Sequence, residues 1–454
     1  MRRRIGSVGW VVLGLLAGVG PALGAPPGRF TADYSIQNLG SRPAIVMIRF
    51  VNPDGSGAGT KTFYNVPPGG SAYFHPARHA LDGGIPLPMG WWGTAIVSAD
   101  QPVAAVTTVV NDLSGPLYAS DAYGGALEPS TILFAPLVRI QRGSWNTRIV
   151  IQNAGDAPAN VRIRFVSGRT VVAAQTLSDL PAGASAIVGR YEHPGLSHFN
   201  GSAIITGTAP LVVTVDEYRT RGGLLISYTG LPLSKASTTL YMPGYLNAYG
   251  PWTTDFTLVN TSNVPAFVRI RFTNNQILYC TVPADGNLYL NPAAGVYGGC
   301  AGGPLASNFH GAATVSASQP IVIAYRITNA LGPGDQAFAY TAVHPADTGT
   351  KMAVPLIQSQ YGEEKWTTTF AVQVIGGGTA RLSLTYKGNL GTFTWRGLIT
   401  DFRAFNPTSD GHVPAGFLGS AMILSDKPLA VVGSRSSPIR LGDAAAGFPG
   451  AKVP

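Results

Sequence analysis

Cysteine and charge are both scarce in this chain of 454 residues, which narrows its possible chemistry. Only Cys280 and Cys300 occur, and no further Cys or His stands at ligand spacing, so we expect no zinc site. Charged residues make up 12% of the chain, about half of the roughly 25% that is usual in soluble domains. The formal net charge of +9 includes three arginines at positions 2–4, which leaves +6 without a dense basic patch. We therefore expect no nucleic-acid partner.

Motifs of common enzymes are also missing. The sequence has no nucleophile elbow, no phosphate-binding glycine loop and no HExxH helix. His75 and His79 are four residues apart, but Pro76 argues against the helix that would place them on one face. Asp216 and Glu217 are adjacent, so on a strand they point in opposite directions. We expect no enzyme activity, no cofactor and no metal, with a secreted hydrolase as the remote alternative.

Long apolar runs are confined to the amino terminus. The apolar stretch from Val8 to Val19 follows three arginines and is too short to span a bilayer. Small residues at Ala22 and Gly24 then suit cleavage before Ala25. Residues 1–24 are therefore predicted to be a signal peptide, and the mature protein to be secreted or held at the cell surface without a transmembrane segment.

Secretion bears on the two cysteines. In an oxidising compartment two cysteines twenty residues apart are expected to form a structural disulfide, which stabilises by about 3 kcal/mol on the chain-entropy model. Two free thiols are the alternative, and a redox role is a remote one.

An internal repeat dominates the rest of the sequence. Four segments align without gaps: NLGSRPAIVMIRF from Asn38, NAGDAPANVRIRF from Asn153, NTSNVPAFVRIRF from Asn260 and VIGGGTARLSLTY from Val374. An aromatic residue stands eight positions before each segment, namely Phe30, Trp145, Trp252 and Trp366. A second block follows in which a glycine precedes a proline by nine residues: Gly93 and Pro102, Gly201 and Pro210, Gly311 and Pro320, Gly419 and Pro428. The period of roughly 107 to 115 residues is domain-sized, longer than that of solenoids or propellers.

Period-two alternation indicates β-structure throughout the repeats. Val161, Ile163 and Phe165 alternate with Arg162 and Arg164, which is typical of a strand with one buried and one solvated face. Helical periodicity is nearly absent. The predicted fold is all-β, with four tandem immunoglobulin-like antiparallel sandwiches after the signal peptide. The predicted boundaries are 25–130, 131–237, 238–349 and 350–454.

The first repeat differs at its start. The other three begin with a proline-bearing strand: ILFAPLVRI, TLYMPGYLN and KMAVPLIQS. In the first repeat Phe30 follows the cleavage site almost directly, so an equivalent strand is missing from the mature chain. Either this repeat closes without the strand, or it leaves an open sheet edge that accepts a strand from another chain.

The two blocks resemble secreted bacterial proteins built from tandem immunoglobulin-like sandwiches. The resemblance rests on WxTxxxxxN…PAxVxIRF and FxGxAxxxxxxP and spans essentially the whole mature chain. It implies the architecture of the chain. The low charge and the duplicated β domains favour a structural or adhesive protein of the cell surface, with repeats arranged as a rod, layer or filament and partners in the cell envelope or in other copies of the chain. Extracellular carbohydrate binding through exposed aromatics is the alternative.

The aromatic residues and the strand arginines are the candidate contact residues. Phe30, Trp145, Trp252 and Trp366 are expected to pack in the core or between layers. Trp92 and Trp395 are candidate surface contacts for a ligand such as a sugar. The repeat asparagines are expected to cap their own turns. Arg49, Arg164 and Arg271 are expected to keep a strand face solvated, or else to form a spaced basic row along the first three repeats.

Overall fold

The computed structural model describes residues 10–15, 30–88, 90–111, 118–126, 128–140, 145–189, 196–219, 223–329, 336–439 and 443–454. Strands dominate these ranges, and the helical segments among them are short 3-10 turns at Leu233–Lys235, Pro292–Ala294 and Pro345–Asp347. Within the described residues no helix has the length and apolar character needed to cross a membrane. The all-β prediction is confirmed.

The strands follow the sequence repeats. Repeat 1 contains β1 (Trp10–Leu15), β2 (Phe30–Asn38), β3 (Ala44–Val51), β4 (Gly57–Val66), β5 (Ser71–Phe74), β6 (Gly93–Ala99), β7 (Val103–Asn111) and β8 (Ser120–Gly124). Repeat 2 contains β9 (Ser130–Ile140), β10 (Trp145–Asn153), β11 (Ala159–Ser167), β12 (Thr170–Leu180), β13 (Ser185–Val188), β14 (Phe199–Arg219), β15 (Leu225–Thr229) and β16 (Leu231–Pro232).

Repeats 3 and 4 have the same succession. Repeat 3 contains β17 (Ser237–Asn247), β18 (Trp252–Asn260), β19 (Ala266–Phe272), β20 (Ile277–Val282), β21 (Asn287–Leu290), β22 (Phe309–Asn329) and β23 (Gln336–Thr341). Repeat 4 contains β24 (Gly349–Ser359), β25 (Thr367–Val374), β26 (Thr379–Gly388), β27 (Gly391–Thr400), β28 (Phe402–Phe405), β29 (Phe417–Ser436), β30 (Ala445–Pro449) and β31 (Ala451–Lys452).

Each repeat consists of two packed antiparallel layers. In repeat 1 the layers are separate sheets with the orders β1-β6-β3-β4 and β5-β2-β7-β8. In the other repeats one long strand, β14, β22 or β29, replaces β6 and β7 and joins the two layers. No sheet formed by the described residues extends from one repeat into another.

Alternation in the sequence places the core between these layers. On β11, Val161, Ile163 and Phe165 are buried, whereas Arg162 is exposed. In repeats 1 to 3 the turn after the second strand is closed by an asparagine, as expected: the side-chain oxygen of Asn153 accepts a hydrogen bond from the Gly155 amide at 3.0 Å, and that of Asn38 accepts one from the Gly40 amide at 2.8 Å. Repeat 4 has Val374 at this position. Such local bonds fix the turn that leads from the second strand to the third.

The four repeats pack as a closed ring. The axial strands are here defined as β8, β15, β23 and β30, one from each repeat. Each contacts the axial strand of the next repeat, and β30 of repeat 4 contacts β8 of repeat 1. Apolar clusters cross every junction: Phe30 with Tyr218 between repeats 1 and 2, Ile226 with Ala339 between 2 and 3, Tyr340 with Val432 between 3 and 4, and Phe448 with Ala122 between 4 and 1. The repeats are therefore not strung out as a rod, because each has two neighbours.

Close approach of the axial strands requires small side chains. A Cβ atom on Gly447 would lie 2.8 Å from the Ala339 carbonyl oxygen and 3.1 Å from ring atoms of Phe338 and Tyr340. We expect Gly447→Val to lower the free energy of unfolding by about 1–3 kcal/mol, because the added methyl groups force repeats 3 and 4 apart. Denaturant unfolding measures this. Gly57→Val is the matched control, since a Cβ atom there meets nothing within 4 Å, and equal losses in the two variants would contradict the packing argument.

Candidate functional site: the outer hairpins

Each repeat has one strand pair at the sheet edge opposite its first strand. These pairs, here called the outer hairpins, are β3–β4, β11–β12, β19–β20 and β26–β27. Strands β4, β12, β20 and β27 are the edge strands of their sheets. Because one face of each hairpin covers the core, the other face is available for contacts with another molecule.

The outer hairpin of repeat 3 exposes two aromatic rings. Phe267 is 67% exposed and Tyr279 is 54% exposed. Arg269 lies directly opposite Tyr279, and Arg271 lies opposite Ile277, so aromatic and guanidinium groups share one face. The Arg271 guanidinium donates a hydrogen bond to the Asn275 side-chain oxygen at 2.9 Å. This combination of aromatic rings and arginine is common in protein-binding surfaces.

The disulfide lies beneath this hairpin. Cys280 is buried on β20 and joins Cys300 with an S–S distance of 2.03 Å. The Tyr279 amide donates to the Ala301 carbonyl at 2.9 Å, and the Ala301 amide donates back at 2.8 Å. The backbone of the strand that carries Tyr279 is thus held on both sides. A partner that binds the exposed ring therefore loses little free energy in ordering this strand.

The other outer hairpins also expose large apolar side chains. They are Ile45 and Tyr64 in repeat 1, Val171 and Val172 in repeat 2, and Leu398 in repeat 4, where Leu424 of the neighbouring strand β29 is exposed as well. The same structural position therefore offers apolar surface four times around the ring.

The predicted arginines lie on these hairpins. Arg49, Arg164 and Arg271 occupy one register position, opposite Ile96, Ile204 and Thr314 respectively. Arg49 and Arg271 are exposed and Arg164 is half-buried. Because the three belong to three different sheets, they are spaced around the ring and not along one strand.

Three of the four repeat aromatics lie at junctions between repeats. Phe30 packs against Tyr218 and Leu225 of repeat 2, and Trp366 packs against Tyr118 of repeat 1. The guanidinium carbon of Arg326 in repeat 3 lies 5.4 Å from the Trp145 ring centre, and that of Arg139 lies 3.9 Å from it. Trp252, by contrast, packs on Phe338 of its own repeat, with ring centres 5.8 Å apart.

The two tryptophans proposed as ligand contacts are both half-buried. Trp92 lies just before β6, next to Trp91, whose ring nitrogen donates to the Asn52 side-chain oxygen at 2.7 Å. The ring of Trp395 lies 5.3 Å from those of Phe405 and His412, and the Arg403 guanidinium lies 5.2 Å from its centre.

We expect Trp395→Ala to reduce stability by about 2 kcal/mol, because the ring covers one end of the repeat 4 core and leaves a gap when removed. Thermal unfolding measures this. Trp92→Ala serves as the comparison, and a glycan array tested with both variants separates a packing role from a sugar-binding role: loss of glycan binding at unchanged stability would contradict this expectation.

Charged groups are buried at the ring junctions. Glu217 of repeat 2 accepts hydrogen bonds from Arg139 at 2.9 and 3.2 Å and from Arg326 of repeat 3 at 2.6 Å, while Arg326 also binds Asp255 at 2.6 Å. Burial would raise the pKa of Glu217, but the guanidinium groups of Arg139 and Arg326 outweigh it and hold this pKa below its ordinary value. The cluster ties repeat 2 to repeat 3.

A single buried residue, Asp443, contacts the three other repeats near the axial strands. Asp443 of repeat 4 accepts hydrogen bonds from the amides of Leu225 in repeat 2 at 3.0 Å and Ala337 in repeat 3 at 2.9 Å. Its backbone pairs with repeat 1, since its carbonyl accepts from the Ser120 amide at 2.9 Å. Asp121 of repeat 1 similarly accepts from the amides of Ser227 and Gly447. These acids act in assembly of the ring.

Sequence reasoning missed both the exposed aromatics and the buried acids. Phe267 stands two residues before Arg269, on the solvated face of the strand, so the alternation in the sequence already indicates that Phe267 is exposed. Nothing in the sequence indicated that Glu217 or Asp443 faces another repeat. Among the described residues, no group of three His, Cys, Asp or Glu side chains is placed to hold a metal ion.

No protein-family model and no curated protein sequence matches the chain. Among solved structures, it is similar to Thermotoga maritima 1070, at 16% identity over 23% of this chain and 95% of that chain, with a TM-score of 0.21. It is also similar to the Anabaena sensory rhodopsin transducer, at 16% identity over 20% of this chain and 95% of that one, with a TM-score of 0.17. A tetra-tandem repeat from the extending region of a large adhesion protein is similar at 11% identity over 98% of this chain and 99% of that one, with a TM-score of 0.11. With scores this low, the proposals below rest on the contacts within the chain.

Proposed function

We propose that this chain is a secreted, non-enzymatic protein of the cell surface with a structural or adhesive role. Its four repeats act as four immunoglobulin-like sandwich domains that close into a ring and present their outer hairpins to partners in the cell envelope or on neighbouring cells. The observation that carries the proposal is the exposure of large apolar side chains on the same hairpin in every repeat.

The chemistry of the hairpins supports protein contacts. Exposed aromatic rings beside arginines supply most of the binding energy in many protein interfaces. In repeat 3, Phe267 and Tyr279 flank Arg269 on a hairpin whose backbone is held by the disulfide and the pairing to Ala301. Four such faces on one rigid ring also permit multivalent attachment, in which weak single contacts add to a strong one.

The proposal is tested by removing the exposed rings. We expect the double variant Phe267→Ser, Tyr279→Ser to bind envelope fractions of the native host at least about 10-fold more weakly than the wild type, because an interface loses its aromatic anchors. Sedimentation or surface plasmon resonance with purified mature protein measures the binding.

Ile439→Ser is the matched control, because Ile439 is 58% exposed but lies outside the outer hairpins. Thermal unfolding of all variants verifies that the fold is kept. Unchanged binding by the double variant, or equal loss in the control, would remove the outer hairpin of repeat 3 as a binding surface. Binding only to isolated glycans would favour the carbohydrate-binding alternative.

A further inference from the structure

The first strand position of repeat 1 is filled in an unusual way. In repeats 2, 3 and 4 an eleven-residue strand, β9, β17 or β24, pairs with the first half of the long strand. In repeat 1 the same position beside β6 is taken by β1, with Trp10 opposite Ser98 and Leu15 opposite Gly93. Strand β1 lies within the predicted signal peptide, so cleavage before Ala25 removes it.

Few residues separate the predicted cleavage site from the second strand of repeat 1. Only five residues, Ala25 to Arg29, precede Phe30, where β2 begins in the other layer. Two of the five are prolines, which lack an amide hydrogen for pairing. The carboxyl terminus is also engaged, since Lys452 and Ala451 pair with Met352 and Ala353 of β24. Cleavage therefore removes β1 from the edge of β6, and among the described residues of the mature chain no other strand pairs with that edge.

The missing strand is also part of a ring junction. The first strand of each repeat lies against the next repeat: Phe134 packs with Val259 and Val322, and Ala353 packs with Leu39 of repeat 1. In the same way β1 lies against β14 of repeat 2, beside the apolar cluster of Val51, Ile96 and Val212. Without β1, the junction between repeats 1 and 2 loses the strand that lies along it.

The three complete repeats define what fits this position. Strands β9 and β17 each contain six consecutive buried residues, and β24 contains eight, because the core covers one face and the next repeat covers the other. A strand buried on both faces has a continuous apolar run in place of alternation. The sequence of β1, WVVLGL, is a continuous apolar run.

We propose that, in the mature protein, the edge of β6 accepts a strand donated by another polypeptide chain. The donor is an extended segment that contains an uncharged apolar run of at least six residues and pairs antiparallel to β6. Main-chain hydrogen bonds supply its affinity, and the apolar surface between repeats 1 and 2 selects its side chains. This inference rests on the secretion contained in the proposed function and adds a second contact, separate from the outer hairpins.

The test uses protein that begins at Ala25 and a peptide with the sequence of residues 130–140, STILFAPLVRI, as the donor. We expect saturating peptide to raise the Tm by about 3 °C or more, since a ligand that binds only the folded state stabilises it. The matched control peptide carries Phe134→Lys and Leu137→Lys, and it should give no shift.

Register is tested by crosslinking. In repeat 2, Thr206 of the long strand pairs with Ile132, and Ser98 is the residue of β6 equivalent to Thr206. The variant Ser98→Cys should therefore form a disulfide with a peptide that carries Ile132→Cys. Ser56→Cys, in an exposed turn of repeat 1, should not react at a comparable rate. A variant in which residues 130–144 replace residues 25–29 should be more stable than the mature protein and should not bind the peptide.

The proposal would be overturned if the donor peptide gave neither a Tm shift nor a selective crosslink. It would also be overturned if the free β6 edges of two mature molecules paired with each other and excluded the peptide. A third contrary result would be native secreted protein in which mass spectrometry finds residues 10–15. None of these depends on Phe267 or Tyr279. The double variant at those positions should still bind the peptide, so failure of strand acceptance is distinguishable from failure of the outer-hairpin function.

Discussion

Glu217→Gln is expected to lower the free energy of unfolding by about 3–5 kcal/mol, because it leaves the buried guanidinium group of Arg139 without a counter-charge. The Glu217 side chain is fully buried and accepts hydrogen bonds from two arginines of different repeats. Arg326 keeps Asp255 in the variant, but Arg139 loses its partner. Equilibrium unfolding in urea measures the difference.

The pH dependence of this loss has a definite sign. Since the pKa of Glu217 is below its ordinary value in the folded protein, the group contributes stability that is fully present above its unfolded value of about 4.3 and is lost as the pH falls through the folded pKa. The stability difference between wild type and Glu217→Gln should therefore be largest near neutral pH and should narrow below about pH 4.

Glu128→Gln is the matched control. Glu128 pairs with Lys235 at 3.2 Å, but its side chain is 47% exposed, and exposed ion pairs contribute at most about 1 kcal/mol. If the two variants lose equal stability, or if the difference for Glu217→Gln does not narrow in acid, the buried cluster does not join repeats 2 and 3 as described.

Asp443→Ala should be similarly damaging. The substitution leaves the buried amides of Leu225 and Ala337 without acceptors, at a cost of about 1–3 kcal/mol for each. Because these amides belong to repeats 2 and 3, we expect the ring to loosen, which small-angle X-ray scattering would detect as a larger radius of gyration. Thermal unfolding gives the loss of stability.

Asp426→Ala controls for removal of a carboxylate. Asp426 also accepts a hydrogen bond from a backbone amide, that of Arg381 at 2.8 Å, but the bond is exposed to solvent, so water replaces the lost acceptor. If the Asp443→Ala protein were as stable and as compact as the Asp426→Ala protein, the Asp443 carboxylate would not be what holds the ring closed.

Local features of the fold were predictable from sequence. The alternation of Val161, Ile163 and Phe165 with arginines placed the core face of β11 correctly, since side chains on a strand point to opposite faces in turn. The turn asparagines were predictable for the same reason, because Asn153 bonds an amide only two residues away. The exposure of Phe267 followed from the same alternation, although its value as a contact residue did not.

Contacts between repeats were not predictable. Trp366 meets Tyr118, which is 248 residues earlier, and Asp443 meets Leu225 at a separation of 218 residues. An aromatic residue begins the second strand in repeats 1 to 3 and directly precedes it in repeat 4. The sequence does not show that Phe30 packs against repeat 2 and Trp366 against repeat 1.

The sequence by itself determined that this protein is all-β, that one unit recurs four times, and which face of each strand is buried, because these depend on residue spacing along a single strand or turn. Only the tertiary structure decided that the repeats close into a ring, that Glu217 and Asp443 are buried between repeats, and that residues 10–15 fill the first strand position of repeat 1. Those arrangements depend on contacts between surfaces that are hundreds of residues apart in the sequence. Side-chain alternation within one strand shows which face is buried but not which other strand or repeat covers it.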